Sequence, residues 1–130
     1  MDVPCPLCRV ADGRETLAAN THALAIWDAF PISPGHALIV SRRHVADLFE
    51  LSAEEQAALW ALLPAVKTAI GARHAPAGYN VGVNVGAAAG QTVAHVHVHV
   101  IPRYVGDVRD PRGGIRWVLP ELAAYWGRSQ

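Results

Sequence analysis

The chain has 130 residues, of which 52% are hydrophobic and 17% charged, with 11 basic and 11 acidic side chains. This composition excludes a disordered chain, and the length predicts one domain over residues 1–130 that buries its own core. A formal net charge of zero gives no overall field that would attract nucleic acid or an anionic membrane, so we expect neither as a partner.

The N-terminal segment contains two cysteines, Cys5 and Cys8, in the sequence CPLC. It lacks the regions of a secretory signal, and no apolar run in the chain is long enough to span a membrane, so we expect a cytoplasmic protein. Because the cytosol keeps thiols reduced, the pair is a metal clip, a redox pair or two buried thiols. The spacing supplies half the ligands of a zinc site, whereas a redox pair normally follows a strand, so zinc is favoured.

The next segment predicts an antiparallel hairpin. One strand begins at Ala23 in ALAIWDAF, and a second strand covers residues 36–41. Pro34 and Gly35 between them supply the turn.

A helix is predicted after the hairpin. Ser52 and Glu55 form the pattern of a capping box, and apolar residues follow at helical spacing up to Ile70. Pro64 lies inside this run and predicts a kink, since proline cannot donate the helical hydrogen bond.

Two more strands are predicted, over residues 79–85 and through the histidine row AHVHVHV, with the glycine-rich loop GAAAG between them. Side chains alternate across a strand, so His95, His97 and His99 share one face, with neighbouring Cα atoms about 6.6 Å apart. Three interpretations are open: a solvent-facing polar strand, a metal site, or a nucleophile flanked by helpers.

The C-terminal part, DPRGGIRWVLPELAAYW, predicts a glycine-containing loop and a short helix that begins at Pro120. The predicted fold class is therefore α+β, with an antiparallel sheet of about five strands, one long helix and a short C-terminal helix.

The segment GQTVAHVHVHV resembles the signature of the histidine-triad (HIT) nucleotide hydrolases and transferases, in which histidines alternate with apolar residues. The resemblance extends to PGHALIV and NVG and covers residues 5–117. VIPRY followed by Gly106 and Asp107 is more similar to the branch that cleaves dinucleoside polyphosphates than to the branch that cleaves phosphoramidates. The resemblance implies a HIT-like fold, a small nucleotide as the substrate and a homodimer.

The same resemblance implies an enzyme whose middle histidine, His97, attacks the α-phosphorus of a nucleotide. A nucleotidyl-histidine intermediate forms, and water then releases a nucleoside monophosphate, with no cofactor required for this step. His99 is implied to contact the phosphate or the departing group. His36 is implied to contact the phosphate or to orient His97.

Several substrate-binding residues follow. By resemblance, Asp28 matches a carboxylate that accepts hydrogen bonds from ribose hydroxyls, Gln91 and Thr92 border the phosphates, and Asn84 contacts a phosphate or the leaving group. Arg116, in the C-terminal loop, is predicted from its chemistry to bind the far phosphates.

The zinc-bearing relatives imply that His44 and His95 complete a structural zinc site with Cys5 and Cys8. His95 would then stiffen the catalytic strand, and only His97 and His99 would face the substrate.

Two other functions remain open. One is a nucleotide-binding regulatory module in which hydrolysis is incidental. The other is a metal-dependent hydrolase that uses His95, His97 and His99 as ligands, against which stands the lack of an Asp or Glu among them to act as general base. Hydrolysis and transfer to phosphate share one intermediate, so both are compatible with the sequence.

Overall fold

A computed structural model describes residues 5–8 and 14–128. Five strands form one antiparallel sheet in the order β1-β2-β3-β5-β4. The strands are β1 (Thr16–Ala19), β2 (Ala23–Trp27), β3 (Ala37–Ser41), β4 (Gly78–Gly82) and β5 (His97–Arg103). Within the described residues, no helix has both the length and the apolar character needed to cross a membrane.

Strands β2 and β3 form the predicted hairpin, with Ile26 opposite Leu38. Gly35 in the connecting loop has φ +87, a conformation that residues with a Cβ rarely adopt. A Cβ at this position would also lie 2.9 Å from Cδ2 of His74. The loop therefore depends on glycine, and it delivers His36 directly before β3 begins.

The predicted helix is present and is broken where the proline predicted a kink. Helix α1 (Ala53–Ala61) begins at the Ser52 capping box, and α2 (Leu63–Gly71) follows after Leu62. Pro64 lies in the first turn of α2, where its missing N–H costs no helical hydrogen bond. Leu59, Val66 and Ile70 are buried against one face of the sheet, where they join the main core cluster with Ile39 and Val98.

Strand β5 carries the histidines on the opposite face. Val98 and Val100 point into the core, while His97 and His99 are half-buried on the other side. The strand begins at His97, so the prediction that His95 lies within it was wrong: His95 occupies a bend just before the strand and is fully buried. This bend frees its side chain to turn away from the row.

Strand β4 ends at Gly82, three positions before the predicted end at Val85. Its last paired residue, Gly82, lies opposite His99, and the chain then leaves the sheet toward a turn between Gly86 and Gly90, both at positive φ. Strand β1 was not predicted, because TLAA carries almost no strand signal.

The C-terminal segment, defined here as residues 107–126, contains a 3₁₀ helix (Gly114–Val118) and the predicted short helix α3 (Pro120–Ala123). The segment lies against the sheet, because Cδ1 of Ile115 comes within 3.2 Å of the position that a Cβ of Gly82 would occupy. Opposite residues of paired strands share a face, so Ile115 covers the histidine-bearing side beside His99.

Candidate active site

A backbone contact fixes which nitrogen of His97 carries the proton. Its Nδ1 lies 2.7 Å from the main-chain oxygen of His95. A carbonyl oxygen can only accept a hydrogen bond, so Nδ1 is the protonated nitrogen. In the neutral ring, Nε2 of His97 therefore keeps a free lone pair and is available as a nucleophile.

The protonation of His99 follows from a second set of contacts that passes through His36. The Nδ1 atom of His36 accepts the N–H of Ile32 at 3.2 Å, which places the ring proton on Nε2. That Nε2 lies 3.0 Å from Nδ1 of His99 and 3.3 Å from Oδ2 of Asp28. Because Nδ1 of His99 accepts a hydrogen bond from this N–H, Nε2 of neutral His99 must carry its own hydrogen.

Burial favours the neutral form of both His36 and His99. It lowers the pKa of His36 below the usual value, and the charge of Asp28 offsets only part of the effect. The pKa of His99 is also lowered, first by burial and then by the neighbouring His97 and His36 rings. The site thus presents a lone pair on His97 beside an N–H donor on His99, whose rings are 5.0 Å apart between centroids.

Four possible metal ligands meet at the other end of the histidine row: Cys5, Cys8, His44 and His95. Nδ1 of His95 lies 3.4 Å from Sγ of Cys5, 3.5 Å from Sγ of Cys8 and 3.1 Å from Nδ1 of His44. Ligand pairs around a tetrahedral zinc ion with ordinary Zn–S and Zn–N bonds are about 3.3–3.8 Å apart.

The buried position of His95 completes this fit. Its Nε2–H donates to the main-chain oxygen of Ser41 at 2.7 Å, so the lone pair of Nδ1 points at the cysteines. Both cysteines are free thiols, as zinc ligands require. The structure thus brings together all four residues predicted as metal ligands, and the donor set suits zinc.

The histidine row itself was the predicted alternative site for a catalytic metal. Among the described residues, the groups of converging ligand atoms do not include one that joins His95, His97 and His99. Asp28, His36 and His99 do converge, and the hydrogen bonds described above account for their proximity.

Comparison with known families agrees with this site. The sequence profile of the HIT domain family matches residues 14–106. The chain belongs to the HIT domain family. The HIT match contains every strand and both long helices, together with His36 and the complete histidine row.

Individual HIT relatives match this chain over most of its length. An AP-4-A phosphorylase of Mycobacterium tuberculosis is 40% identical over 116 residues, which cover 81% of this chain and 59% of that protein. An adenosine 5'-monophosphoramidase of Schizosaccharomyces pombe is 40% identical over 102 residues, covering 76% of this chain and 74% of that protein. The crystal structure of a Zn-bound histidine triad family protein from Mycobacterium smegmatis superimposes with a TM-score of 0.68 at 33% identity, covering 82% and 83% of the two chains.

The residues predicted to bind the substrate of this HIT protein differ in whether their side chains already form hydrogen bonds within the protein. Asn84 and Thr92 are exposed, and their side chains have no hydrogen bond within the described part of the chain. Asp28 uses Oδ1 to accept the N–H of Phe30 at 2.8 Å and places Oδ2 beside His36. Each carboxylate oxygen can accept a second hydrogen bond, so a ribose could still be bound.

Gln91 is used by the HIT fold itself. Its Oε1 accepts the N–H of Gly86 at 2.9 Å, and its Nε2 donates to the backbone oxygens of Ala46 and Val93 at 2.8 and 3.0 Å. The amide therefore ties the loop between β4 and β5 to the chain that leads into His95. Its contribution to a phosphate site would be to shape this loop.

Arg116 is also occupied. Its guanidinium donates to the backbone oxygens of Ala123 at 2.9 Å and Leu122 at 2.8 Å, and it lies over the ring of Tyr125. These contacts hold the C-terminal segment together. For Arg116 to bind the far phosphates, as predicted, its hydrogen bonds to Ala123 and Leu122 would have to break.

Sequence reasoning did not single out a cavity of about 640 Å³ that lies beyond His99. Its lining includes Ile32, Asn80, Ile101, Arg103 and Trp117. The segment RYVGD, residues 103–107, was the part of the sequence that could have indicated this cavity. In the structure it forms a turn that is closed by an ion pair between Arg103 and Asp107, with two hydrogen bonds of 2.8 and 2.9 Å.

Proposed function

We propose that this HIT protein cleaves the α-phosphate linkage of dinucleoside polyphosphates or related adenylated compounds and releases a nucleoside monophosphate. The observation that carries the proposal is the complementary protonation of two adjacent imidazoles: a free lone pair on Nε2 of His97 and an N–H on Nε2 of His99. The lone pair is needed to attack phosphorus, and the N–H is needed to donate a hydrogen bond to the oxygen that leaves.

In the first step Nε2 of His97 forms a bond to the α-phosphorus, and the bond from phosphorus to the bridging oxygen breaks. The electron pair leaves with that oxygen. A polyphosphate carries this charge over several oxygens, so His99 has to donate a hydrogen bond and does not have to give up its proton. The Nδ1–H of His97 stays bound to the oxygen of His95 and stabilises the positive ring of the intermediate.

In the second step a water oxygen bonds to phosphorus, and the nitrogen–phosphorus bond breaks. The electron pair returns to Nε2 of His97, the water loses one proton to solvent, and the nucleoside monophosphate departs. The residues of the chain are thereby restored, and the step requires no cofactor.

The roles proposed for the surrounding residues follow their contacts. His36 positions His99 through the 3.0 Å contact between their rings. Asp28 accepts hydrogen bonds from the ribose, and Asn84 and Thr92 donate to the phosphates. Gln91 shapes the phosphate loop.

We also propose a structural zinc ion bound by Cys5, Cys8, His44 and His95. The short distances among these ligand atoms and the Zn-bound relative from Mycobacterium smegmatis support it. The ion would tie the N-terminal segment to the residues that precede β5. This fixes the carbonyl of His95 that orients His97, without taking part in the chemistry.

Transfer to inorganic phosphate is the second candidate reaction, and the AP-4-A phosphorylase among the relatives favours it. The intermediate is the same, and phosphate replaces water as the acceptor. The two reactions differ in product, since water yields AMP and phosphate yields ADP from the bound adenylate. Incubation of diadenosine tetraphosphate with and without phosphate, followed by nucleotide chromatography, distinguishes them.

The decisive test of the proposal is intact-protein mass spectrometry after the protein is mixed with diadenosine tetraphosphate and the reaction is quenched. The expected result is an added adenylate on the wild type that is missing from His97→Ala, with turnover lost in that variant. Tight nucleotide binding without an adduct or turnover would favour a regulatory binding module. Turnover that persists in a folded His97→Ala variant would contradict the proposal.

We further propose that the protein is a cytoplasmic homodimer in which the C-terminal segment contributes to the interface. Large apolar side chains of this segment, Val118, Leu119 and Leu122, are 61–75% exposed in the isolated chain. Apolar side chains clustered on a surface favour association with another protein surface. The two free thiols fit a reducing compartment. Sedimentation velocity would measure the oligomeric state directly.

A further inference from the structure

The cavity beyond His99 is built on the same sheet face as the histidines. Ile101 follows His99 by two positions on β5 and has Asn80 of β4 directly opposite. Ile32, whose N–H fixes the ring of His36, forms another wall. The cavity and the reacting histidines therefore share the loop that carries His36 and the strand that carries His99.

The C-terminal segment forms one wall of this cavity. Trp117 lines it, and the indole N–H of this residue donates to the backbone oxygen of Arg112 at 2.7 Å. That bond holds a large aromatic ring at the wall, while Ile101 and Val108 provide aliphatic surface. Aromatic and aliphatic walls of this kind suit a flat, apolar ring.

Two polar groups in the cavity remain available for a ligand. Arg103 donates to Oδ1 of Asn80 at 2.6 Å, which orients the amide, and among the described residues the NH₂ group of Asn80 has no acceptor. Arg109 also lines the cavity, and its guanidinium has no hydrogen bond or ion pair within residues 14–128. Arg103 itself is neutralised by Asp107.

This set of groups matches the part of a dinucleotide that departs. A volume of about 640 Å³ falls in the range typical of small-molecule sites. A flat ring with acceptor nitrogens fits the aromatic wall and the Asn80 amide, and a phosphate chain fits the free guanidinium of Arg109. In the proposed reaction the bond that breaks lies beside the N–H of His99, so the leaving half would start next to the cavity.

We propose that this cavity binds the second nucleoside of the substrate, with its base against Trp117, a base nitrogen accepting from Asn80, and the distal phosphates near Arg109. This inference rests on the proposed nucleotide-cleaving function. It assigns a preference for polyphosphates that carry a nucleoside at both ends over those that carry one.

The test compares two substrates with the same adenylate and the same four phosphates: diadenosine tetraphosphate, and adenosine 5'-tetraphosphate, which lacks the second nucleoside. The quantity measured is kcat/KM for diadenosine tetraphosphate divided by kcat/KM for adenosine 5'-tetraphosphate. In Trp117→Ala this ratio falls about tenfold, the effect expected when one base loses an aromatic stacking partner.

Trp60→Ala is the matched control, because Trp60 is 42% exposed and Trp117 is 44% exposed, while Trp60 lies on α1 away from the cavity. It leaves the ratio within twofold of wild type. Val108→Trp fills the cavity without removing Trp117 and lowers the ratio as well, so the inference stays testable if Trp117→Ala folds poorly.

The outcomes separate the two proposals. If the wild type forms the adenylate adduct and cleaves both substrates with equal kcat/KM, or if Trp117→Ala and Val108→Trp leave the ratio unchanged, the cavity is not a nucleoside site and the proposed function stands. If the wild type cleaves neither substrate and forms no adduct, both proposals fail.

Discussion

Nε2 of His36 lies 3.0 Å from Nδ1 of His99, although the two residues are 63 positions apart in the chain. Because the other nitrogen of His36 accepts a backbone N–H, this contact has a direction: His36 donates and His99 accepts. In the proposed reaction, the residue that donates to the leaving group is thus oriented by a histidine that need not touch the substrate.

Replacing His36 by leucine removes that donor and fills the buried position with an apolar side chain. His99 can then carry its proton on either nitrogen, and we expect kcat to fall about 100-fold, as for loss of one oriented hydrogen-bond donor. Nitrogen NMR of the His99 ring should show the mixture of protonation states. His22→Leu is the control, since the imidazole of His22 lies 3.5 Å from the exposed carboxylate of Glu54 and takes no part in the contacts among Asp28, His36 and His99. Unchanged kcat in a folded His36→Leu variant would contradict this role.

The buried pair also predicts how stability depends on pH. The pKa values of His36 and His99 are lowered in the folded state, so at pH below about 6.5 the unfolded chain binds more protons than the folded one. Their contribution to the free energy of unfolding is complete above pH 6.5 and is lost as the pH falls from there toward the folded-state values. Urea unfolding of the metal-free protein at pH 7.5, 6.5 and 5.5 measures the slope.

The pH range of this measurement separates the effect of the histidines from the acid titration of carboxylates. Glu55, whose pKa is lowered to about 2 by the bond from Arg43, changes charge only below its ordinary value of 4.5. Between pH 7.5 and 5.5 the slope should therefore come from histidines, and His36→Leu should reduce it. An equal slope in that variant would show that other groups are responsible.

Removing the metal should lower stability and leave the chemistry in place. We expect about one zinc per chain by elemental mass spectrometry, and a fall in Tm of roughly 10 °C after chelation or in Cys8→Ser. The kcat of the protein that remains folded should stay near wild type, because no step of the proposed reaction passes through the metal and the bond from Nε2 of His95 to the oxygen of Ser41 still holds the residue whose carbonyl orients His97. Turnover that vanished on chelation at unchanged Tm, and returned with added zinc, would instead favour a metal-dependent hydrolase.

Glycine is required in the loop before β3 and dispensable at the end of α2. Gly35→Ala places a Cβ 2.9 Å from Cδ2 of His74 in a backbone with φ +87, and we expect a loss of about 1–3 kcal/mol together with reduced kcat, because the loop carries His36. Gly71→Ala is the matched control at the end of α2, where no atom lies within 4 Å of the new Cβ. It should stabilise the protein by about 0.5–1 kcal/mol. Chemical denaturation of both variants measures these values, and a neutral Gly35→Ala would refute the strain argument.

The elements with a local repeat were predictable from the sequence. The hairpin, the capping box at Ser52 and the break at Pro64 depend on residues a few positions apart, and the structure has all three. Strand β1 was missed, because a strand at the sheet edge with small side chains is stabilised by its partner and not by its own sequence.

By itself the sequence determined the family and placed His97 and His99 on one face, because a strand alternates its side chains with a period of two. The tertiary structure alone decided which nitrogen of each ring is protonated. His95 donates to the carbonyl of Ser41, 54 positions away, and His36 meets His99 across 63 positions. For His97 the acceptor is the nearby carbonyl of His95, which the bend before β5 turns toward the ring. The tertiary structure also decided the cavity beyond His99, which exists only because residues 107–126 fold back over the sheet. Hydrogen bonds and cavities between distant segments depend on how the chain packs, and no local pattern records them.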